Sequence, residues 1–115
     1  MEETILMLEN LIVSGDECIE EISLEDLPAI IRLTGERINI KTQAARVLFR
    51  GGASNALFDE FANHPSRLIR LGVLLGCIEA GQRKRVEYFL FDADSWVREE
   101  AIDGLVQEEE GAQDT

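Results

Sequence analysis

The chain has 115 residues, 45% of them hydrophobic, and a formal net charge of −12. This is the length of one domain with enough apolar residues for a single core, which sets aside a disordered chain. The charge is concentrated at the ends: residues 1–31 hold nine acids and no Lys or Arg, residues 99–115 hold seven acids and no base, and residues 32–98 carry +4. A field of this kind attracts basic partners and repels nucleic acid.

Residues Glu2 to Val13 read as a first helix, with Ile5, Leu6, Leu8, Ile12 and Val13 on a broad apolar face and Gly15 where a stop belongs. Glu2, Glu3 and Glu9, with no base among them, are the opposite of a secretory or transit leader. Asp16 caps a short second segment to Ile22, with Cys18, Ile19 and Ile22 inward. Ser23 and Asp26 resemble a capping box for a helix over about 24–34, which Pro28 enters in the first turn, where proline is tolerated. Leu27, Ile30, Ile31 and Leu33 are its buried residues and Gly35 its end.

A helix over about 39–50 follows, closed by Gly51 and Gly52. The next pair is Ala53–Ala62, with Ala56, Leu57, Phe58 and Phe61 inward, and a helix that opens at Pro65 or Ser66 and runs to Ala80 and Gly81. Its Leu71 to Ile78 stretch is the longest nearly uncharged run of the chain, far short of the roughly 20 residues of a membrane span. The third pair is Gln82–Phe91, burying Val86, Phe89 and Leu90, and Ser95–Gln107. Glu108–Thr115 has nothing apolar to bury and is expected to be an acidic, disordered tail. No strand signal competes anywhere, so the fold class is all-α.

One stretch organises the rest. In Asp92–Leu105, which reads DADSWVREEAIDGL, Val97, Ala101, Gly104 and Leu105 form one stripe at offsets of four, seven and eight. The same pattern stands at Ile69 and Arg70, and again at Ile40, Lys41, Ala44, Val47 and Leu48. Ile40 to Ile69 is 29 residues, Ile69 to Val97 is 28, and Gly52 and Gly81 share the same offset. A repeat of this length is the mark of stacked helix pairs.

A second helix reading D-x-x-V-R-x-x-A-x-x-x-L resembles the HEAT-like repeat of the phycobilisome-lyase type, an armadillo-like α-solenoid. The match is best in Asp94–Leu105, weaker in Ile40–Leu48, where Lys41 replaces the arginine, and weakest in Ile69–Cys77, where Val73 and Cys77 replace Ala and Leu. The resemblance implies a right-handed α-α superhelix of about three helix pairs, 23–52, 53–81 and 82–107, with 1–22 as an N-terminal capping segment. It also implies that Lys41, Arg70 and Arg98 reach acids of an adjacent turn, for which Asp59, Asp92 and Asp94 are available. The small residues Ala44, Ala101 and Gly72 let neighbouring helices approach, and bulk there forces them apart.

Chemistry finds few footholds. His64 is the single histidine and stands in a turn with no second ligand at metal spacing. Cys77 lies in an apolar stretch, where a thiol is unreactive, and Cys18 sits among Glu17, Glu20 and Glu21, whose charge raises a thiol pKa. Two cysteines are too few for a disulfide framework, and a reduced, cytoplasmic location is the simple expectation. Glu17, Glu20 and Glu21 share one helical face without the glycine of a calcium loop, so they read as a solvated or partner-facing surface. Arg83, Lys84 and Arg85 form one short basic patch, too small for nucleic-acid binding between acidic ends.

Two further features remain. Trp96 precedes Val97 off the core stripe and is expected to be half exposed, either packed on the preceding repeat or anchoring a partner. Leu71 and Leu75, with Ile78 beyond them, take offsets that are polar in the flanking copies, Thr42 and Arg46 on one side and Glu99 and Asp103 on the other. They are covered by the N-terminal segment or form an apolar patch for a partner. The expected function is a non-catalytic, cofactor-free and metal-free protein-binding module, most concretely an acidic immunity or antitoxin protein that inhibits a basic partner such as a nuclease toxin. Its partner-binding residues are expected among Glu17, Glu20, Glu21, Trp96, Glu99, Glu100, Asp103, Leu71, Leu75 and Ile78, on a monomer or weak dimer that binds neither nucleic acid nor membrane. A HEAT-like scaffold or assembly factor is the alternative, and a HEAT-like lyase or nucleic-acid glycosylase a more distant one.

Overall fold

Repeated glycines punctuate the helices. In the computed structural model, which describes residues 23–32 and 38–113, Gly52 and Gly81 have φ of 86° and 69°, in the left-handed region. Each receives the chain as it leaves a 13-residue helix: α2, Ile38–Arg50, and α4, Arg67–Glu79, with α1, Leu27–Arg32, before them and α3, Asn55–Ala62, between them. The Gly52 N–H donates to the Phe49 carbonyl and the Gly81 N–H to the Ile78 carbonyl, both at 3.1 Å, which satisfies carbonyls that a helix end leaves open. The chain continues through α5, Arg83–Tyr88, a 3₁₀ turn over Phe89–Phe91, and α6, Ser95–Gln113. The fold is all-α, with no strand among the described residues.

Several boundaries differ from the sequence reading. Helix α1 starts at Leu27 because the Asp26 N–H donates to the Ser23 carbonyl at 2.9 Å and holds the preceding residues in a turn. Helix α3 starts at Asn55, capped by Ser54, whose hydroxyl accepts from the Leu57 N–H at 3.3 Å. Phe58, Phe61 and Ala62 make its inner stripe, which leaves Ala56 exposed on the far side rather than inward. The single helix expected over 82–91 divides instead, because its last turn tightens: the Asp92 N–H donates to the Phe89 carbonyl at 3.2 Å. Phe89 is then buried, Leu90 half-buried and Phe91 turned outward. Helix α6 continues to Gln113, six residues past the expected end, since glutamates favour the helix and no proline breaks it. The capping segment 1–22, with Cys18, and the expected helix end at Gly35 lie outside the described residues.

Helix α4 is the centre. It packs on α2 on one side and on α6 on the other, with α3 and α5 against it as well, while α1 packs on α2. The core that results includes Leu27, Ile31, Phe49, Phe61, Leu74 and Phe89, each at most 1% exposed. Edge-to-face ring contacts run from Phe61 through Phe49 to Phe58, and from Phe58 to Tyr88 and Phe89, tying α2, α3 and α5 together. No helix among the described residues is long and apolar enough to cross a membrane.

The α2–α4 contact depends on glycine. A Cβ on Gly76 meets the Arg46 carbonyl oxygen and, at 2.9 Å, the Arg50 nitrogen; one on Gly72 meets the Thr42 carbonyl oxygen. These obstacles are backbone and cannot turn aside. Gly104 on α6 differs, since a Cβ there meets the side chain of Ile78, Cγ1 at 2.7 Å among its atoms, rather than backbone, and a side chain can shift. We therefore expect Gly76→Ala to lower stability by about 2 kcal/mol or more in urea unfolding, although alanine favours the helix by about 1 kcal/mol. Gly104→Ala, with the same helix gain and a movable neighbour, should change it by less than about 1 kcal/mol. Equal effects from the two would be inconsistent with backbone contact at Gly76.

Candidate functional site

The turns before α4 and α6 stand 28 residues apart and are built alike. In the second, Asp92 Oδ1 accepts from the Asp94 N–H at 2.9 Å, Asp94 Oδ1 accepts from the N–H groups of Trp96 and Val97 at 2.9 and 3.3 Å, and Arg98 Nη1 donates to the Asp92 carbonyl at 2.6 Å. In the first, His64 Nδ1 accepts from the Ser66 N–H at 3.0 Å, and Arg70 Nη1 donates to the His64 carbonyl at 2.8 Å. The His64 ring thus does the work of the Asp92 carboxylate. An Nδ1 that accepts belongs to a neutral ring carrying its proton on Nε2.

Arg70 then joins the two turns. Its Nε donates to Asp92 Oδ2 at 2.9 Å and its Nη2 to Asp92 Oδ1 at 3.1 Å, with the two side chains 14% and 6% exposed. This is a bidentate, charge-assisted pair, and it realises for Arg70 the rung the repeat implies. Arg98 takes a carbonyl instead of a carboxylate. Asp94 pairs with Arg67 at 3.3 Å, and Asp59 meets Asn63 through its backbone carbonyl. Burial first, and then the charges of Lys41 and Arg70, hold the His64 pKa below its ordinary value against the opposing pull of Glu60.

Beside this rung lies an open cleft of about 400 Å³, lined by His64, Pro65, Arg70, Tyr88, Phe91 and Asp92 among others. The Tyr88 hydroxyl donates to Asn63 Oδ1 across it at 2.6 Å. In the cleft Arg70 and Asp92 neutralise each other, and the accepting nitrogen of His64 is held by backbone. The basic patch is similarly occupied, as Arg85 donates to Asn55 Oδ1 at 2.9 Å and stacks 5.0 Å from the Phe58 ring centroid, and Arg83 pairs with Glu87. Cys77 is fully buried, and burial pushes its thiol up to about 11, the state of a core residue rather than a nucleophile.

The partner-binding residues expected from sequence fall into three groups. Glu17, Glu20 and Glu21 lie outside the described residues. Trp96, Glu99 and Asp103 are exposed on α6, with Glu100 half-buried beside them; Trp96 is 42% exposed and carries the Arg67 guanidinium 5.9 Å from its ring centroid. Leu71 is buried and Leu75 and Ile78 are half-buried against the core, so the middle helix turns these side chains inward. What sequence reasoning missed is Phe91, 88% exposed, and Ile102 and Val106, 51% and 47% exposed. Aligning them by 28 residues on Asn63, Leu74 and Ile78 was the available signal.

No family model matches the chain, and no curated protein or solved structure is significantly similar to it.

Two outcomes test the rung. Asp92→Asn leaves the nearly buried Arg70 without its carboxylate and should cost about 2–3 kcal/mol in urea unfolding. For His64, a folded pKa below the unfolded 6.5 means that its contribution is fully present above 6.5 and is lost as the pH falls through that value toward the folded pKa. His64→Asp keeps an acceptor for the Ser66 N–H. Melting points between pH 7 and 5 should therefore fall less for that variant than for the parent, and parallel curves would remove His64 as the titrating group.

Proposed function

We propose that the chain is a HEAT-like α-solenoid of about three helix pairs and a non-catalytic protein-binding module. Its most concrete form is an acidic inhibitor, an immunity or antitoxin protein, of a basic partner such as a nuclease toxin in the cytoplasm. The observation that carries the reading is the outer side of α6, where exposed Glu99 and Asp103 accompany a half-exposed Trp96. An aromatic anchor among acids suits a partner with a basic rim, and the −12 net charge speeds encounter with it. The long register-matched helices and the Arg70–Asp92 rung agree with stacked repeats, and the buried thiol of Cys77 agrees with a reducing compartment.

The test starts by capturing partners on the tagged full chain from its source cells. A basic protein should be recovered, and an equimolar amount of the chain should suppress its nuclease activity. Glu99→Lys with Asp103→Lys should slow association about tenfold at low salt and flatten its salt dependence, with less change in dissociation. Trp96→Ala should instead speed dissociation about tenfold, roughly the 1–2 kcal/mol of a modest anchor. Recovery of an acidic partner, or unchanged kinetics in both variants, would defeat the proposal; a partner bound yet fully active would point to the scaffold alternative.

A further inference from the structure

The junctions between successive units of the 28-residue register share one contact, and the junction between the second and third units adds two more. A bulky residue near the end of one long helix packs on a glycine of the next: Phe49 on Gly76, then Ile78 on Gly104. The cation at the start of α4 reaches the following turn, Arg70 on Asp92. The turn residue Asn63 is met by Tyr88 of the following unit.

Advance each first partner by 28 residues and the same surface appears on the α5–α6 unit, with none of the described residues covering it. Ile78 becomes Val106, 47% exposed. Leu74, fully buried, becomes Ile102, 51% exposed, and Asn63 becomes Phe91, 88% exposed. Arg70 becomes Arg98, which keeps the bond to the carbonyl six residues back. Its Nε and Nη2, the atoms that hold Asp92 in Arg70, have no partner among the described residues. A face turned to water is normally polar throughout, whereas this one sets exposed Phe91, Ile102 and Val106 beside Glu99 and Asp103.

We propose that this face is a docking surface for a helical hairpin of a partner protein. Resting on the reading of the chain as a protein-binding module, it specifies the chemistry of that partner. The hairpin carries a carboxylate on its turn for Arg98, a small residue on its helix opposite Val106, and bases opposite Glu99 and Asp103, which replace Leu71 and Leu75 of the covered face. A second copy of this chain fits poorly. Two such faces in contact set Glu99 and Asp103 against their own kind, on molecules of charge −12 each.

The register supplies a probe that needs no partner. Inserting a second copy of residues 80–107 after Gln107 places that glutamine before Ala80, as Glu79 stands now, and delivers an Asp92 and a Gly104 to the open face. Two versions are made, one with Glu99 and Asp103 kept and one with both changed to Leu in the first copy. The added unit should fold in at least the second version: helical signal rises, melting stays a single transition at higher temperature, and amide exchange across residues 97–106 slows tenfold or more. Arg98→Lys keeps one donor for the Asp92 carbonyl but loses the bidentate edge. It should leave the parent's melting point nearly unchanged and lower that of the extended chain.

In the full-length parent, Ile102→Glu should leave the melting point unchanged and weaken the captured partner at least tenfold. An added unit unfolded in both versions overturns the proposal. So does an equal effect of Arg98→Lys on both chains, a partner indifferent to Ile102→Glu, or a parent dimer in sedimentation that Ile102→Glu dissolves. If no basic partner is captured, the extended chain still reports on the face. If the charge reversal works while the extended chain fails, the docking surface alone is refuted.

Discussion

Helix α4 lies against α2 at backbone distance, and much of the structure depends on that closeness. With Gly72 and Gly76 against the carbonyls of Thr42 and Arg46, no side chain separates the helices along that line. The bulky residues must pack to either side. On one side Phe49 leaves the contact and meets Phe58 and Phe61, which fixes α3. Across α4, Ile78 faces α6 at Gly104. Arg46 pairs with Glu79 at 2.6 Å across the α2–α4 contact, and that hydrogen bond leads the effects holding the Glu79 carboxyl below its ordinary pKa. At 38% and 31% exposure such a pair contributes little to stability, so the glycines, not the ions, set the spacing.

The turns carry the second constraint. Arg70 is where backbone capping and inter-turn pairing meet, since one guanidinium serves the carbonyls of His64 and Pro65 and the carboxylate of Asp92. An ion pair this buried must be complete, because either half alone is a charge without compensation. The His64 turn avoids that demand by using a neutral ring, and it does so where Lys41 and Arg70 already supply positive charge. An aspartate at 64 would give two cations one shared anion, whereas the histidine keeps the turn bonded while leaving both cations to other acceptors.

Much of this was legible in the sequence because it repeats. The 28–29-residue spacing gave α2 and α4 to within a residue or two, the start of α6, the left-handed glycines at 52 and 81, and the core positions Ala44, Ile69, Val97 and Ala101. The losses came where local geometry overrides period. A helical stripe assigns Leu90 and Phe91 to a helix, but one turn of tighter bonding at Phe89 leaves Leu90 half-buried and turns Phe91 outward. Leu71 and Leu75 stood out as apolar where their neighbours are polar, yet the depth of a helix in its stack is not written in its own offsets. The role of His64 was hidden because a ring nitrogen and a carboxylate oxygen look unlike in a sequence and alike to an N–H donor. The exposed Ile102 and Val106 were hidden for the opposite reason: their spacing is that of core residues, and only their exposure distinguishes them.

Magnitudes then say how charge and apolar surface divide the work of binding. Burying the exposed fractions of Phe91, Ile102 and Val106 is worth about 4 kcal/mol in all, from about 1.5–3 kcal/mol for each fully buried side chain. Association costs about 4 kcal/mol at the least before any affinity appears. The apolar face alone therefore holds a partner weakly, which also keeps it compatible with a dissolved, unpartnered chain. Useful affinity needs the carboxylate that completes Arg98, a bond strong because the partner's approach dries it, and bases for Glu99 and Asp103. Selectivity follows from the same arithmetic. A purely apolar competitor leaves Arg98 desolvated and unpaired and loses more than it gains, and a purely basic one meets repulsion at Arg98 itself.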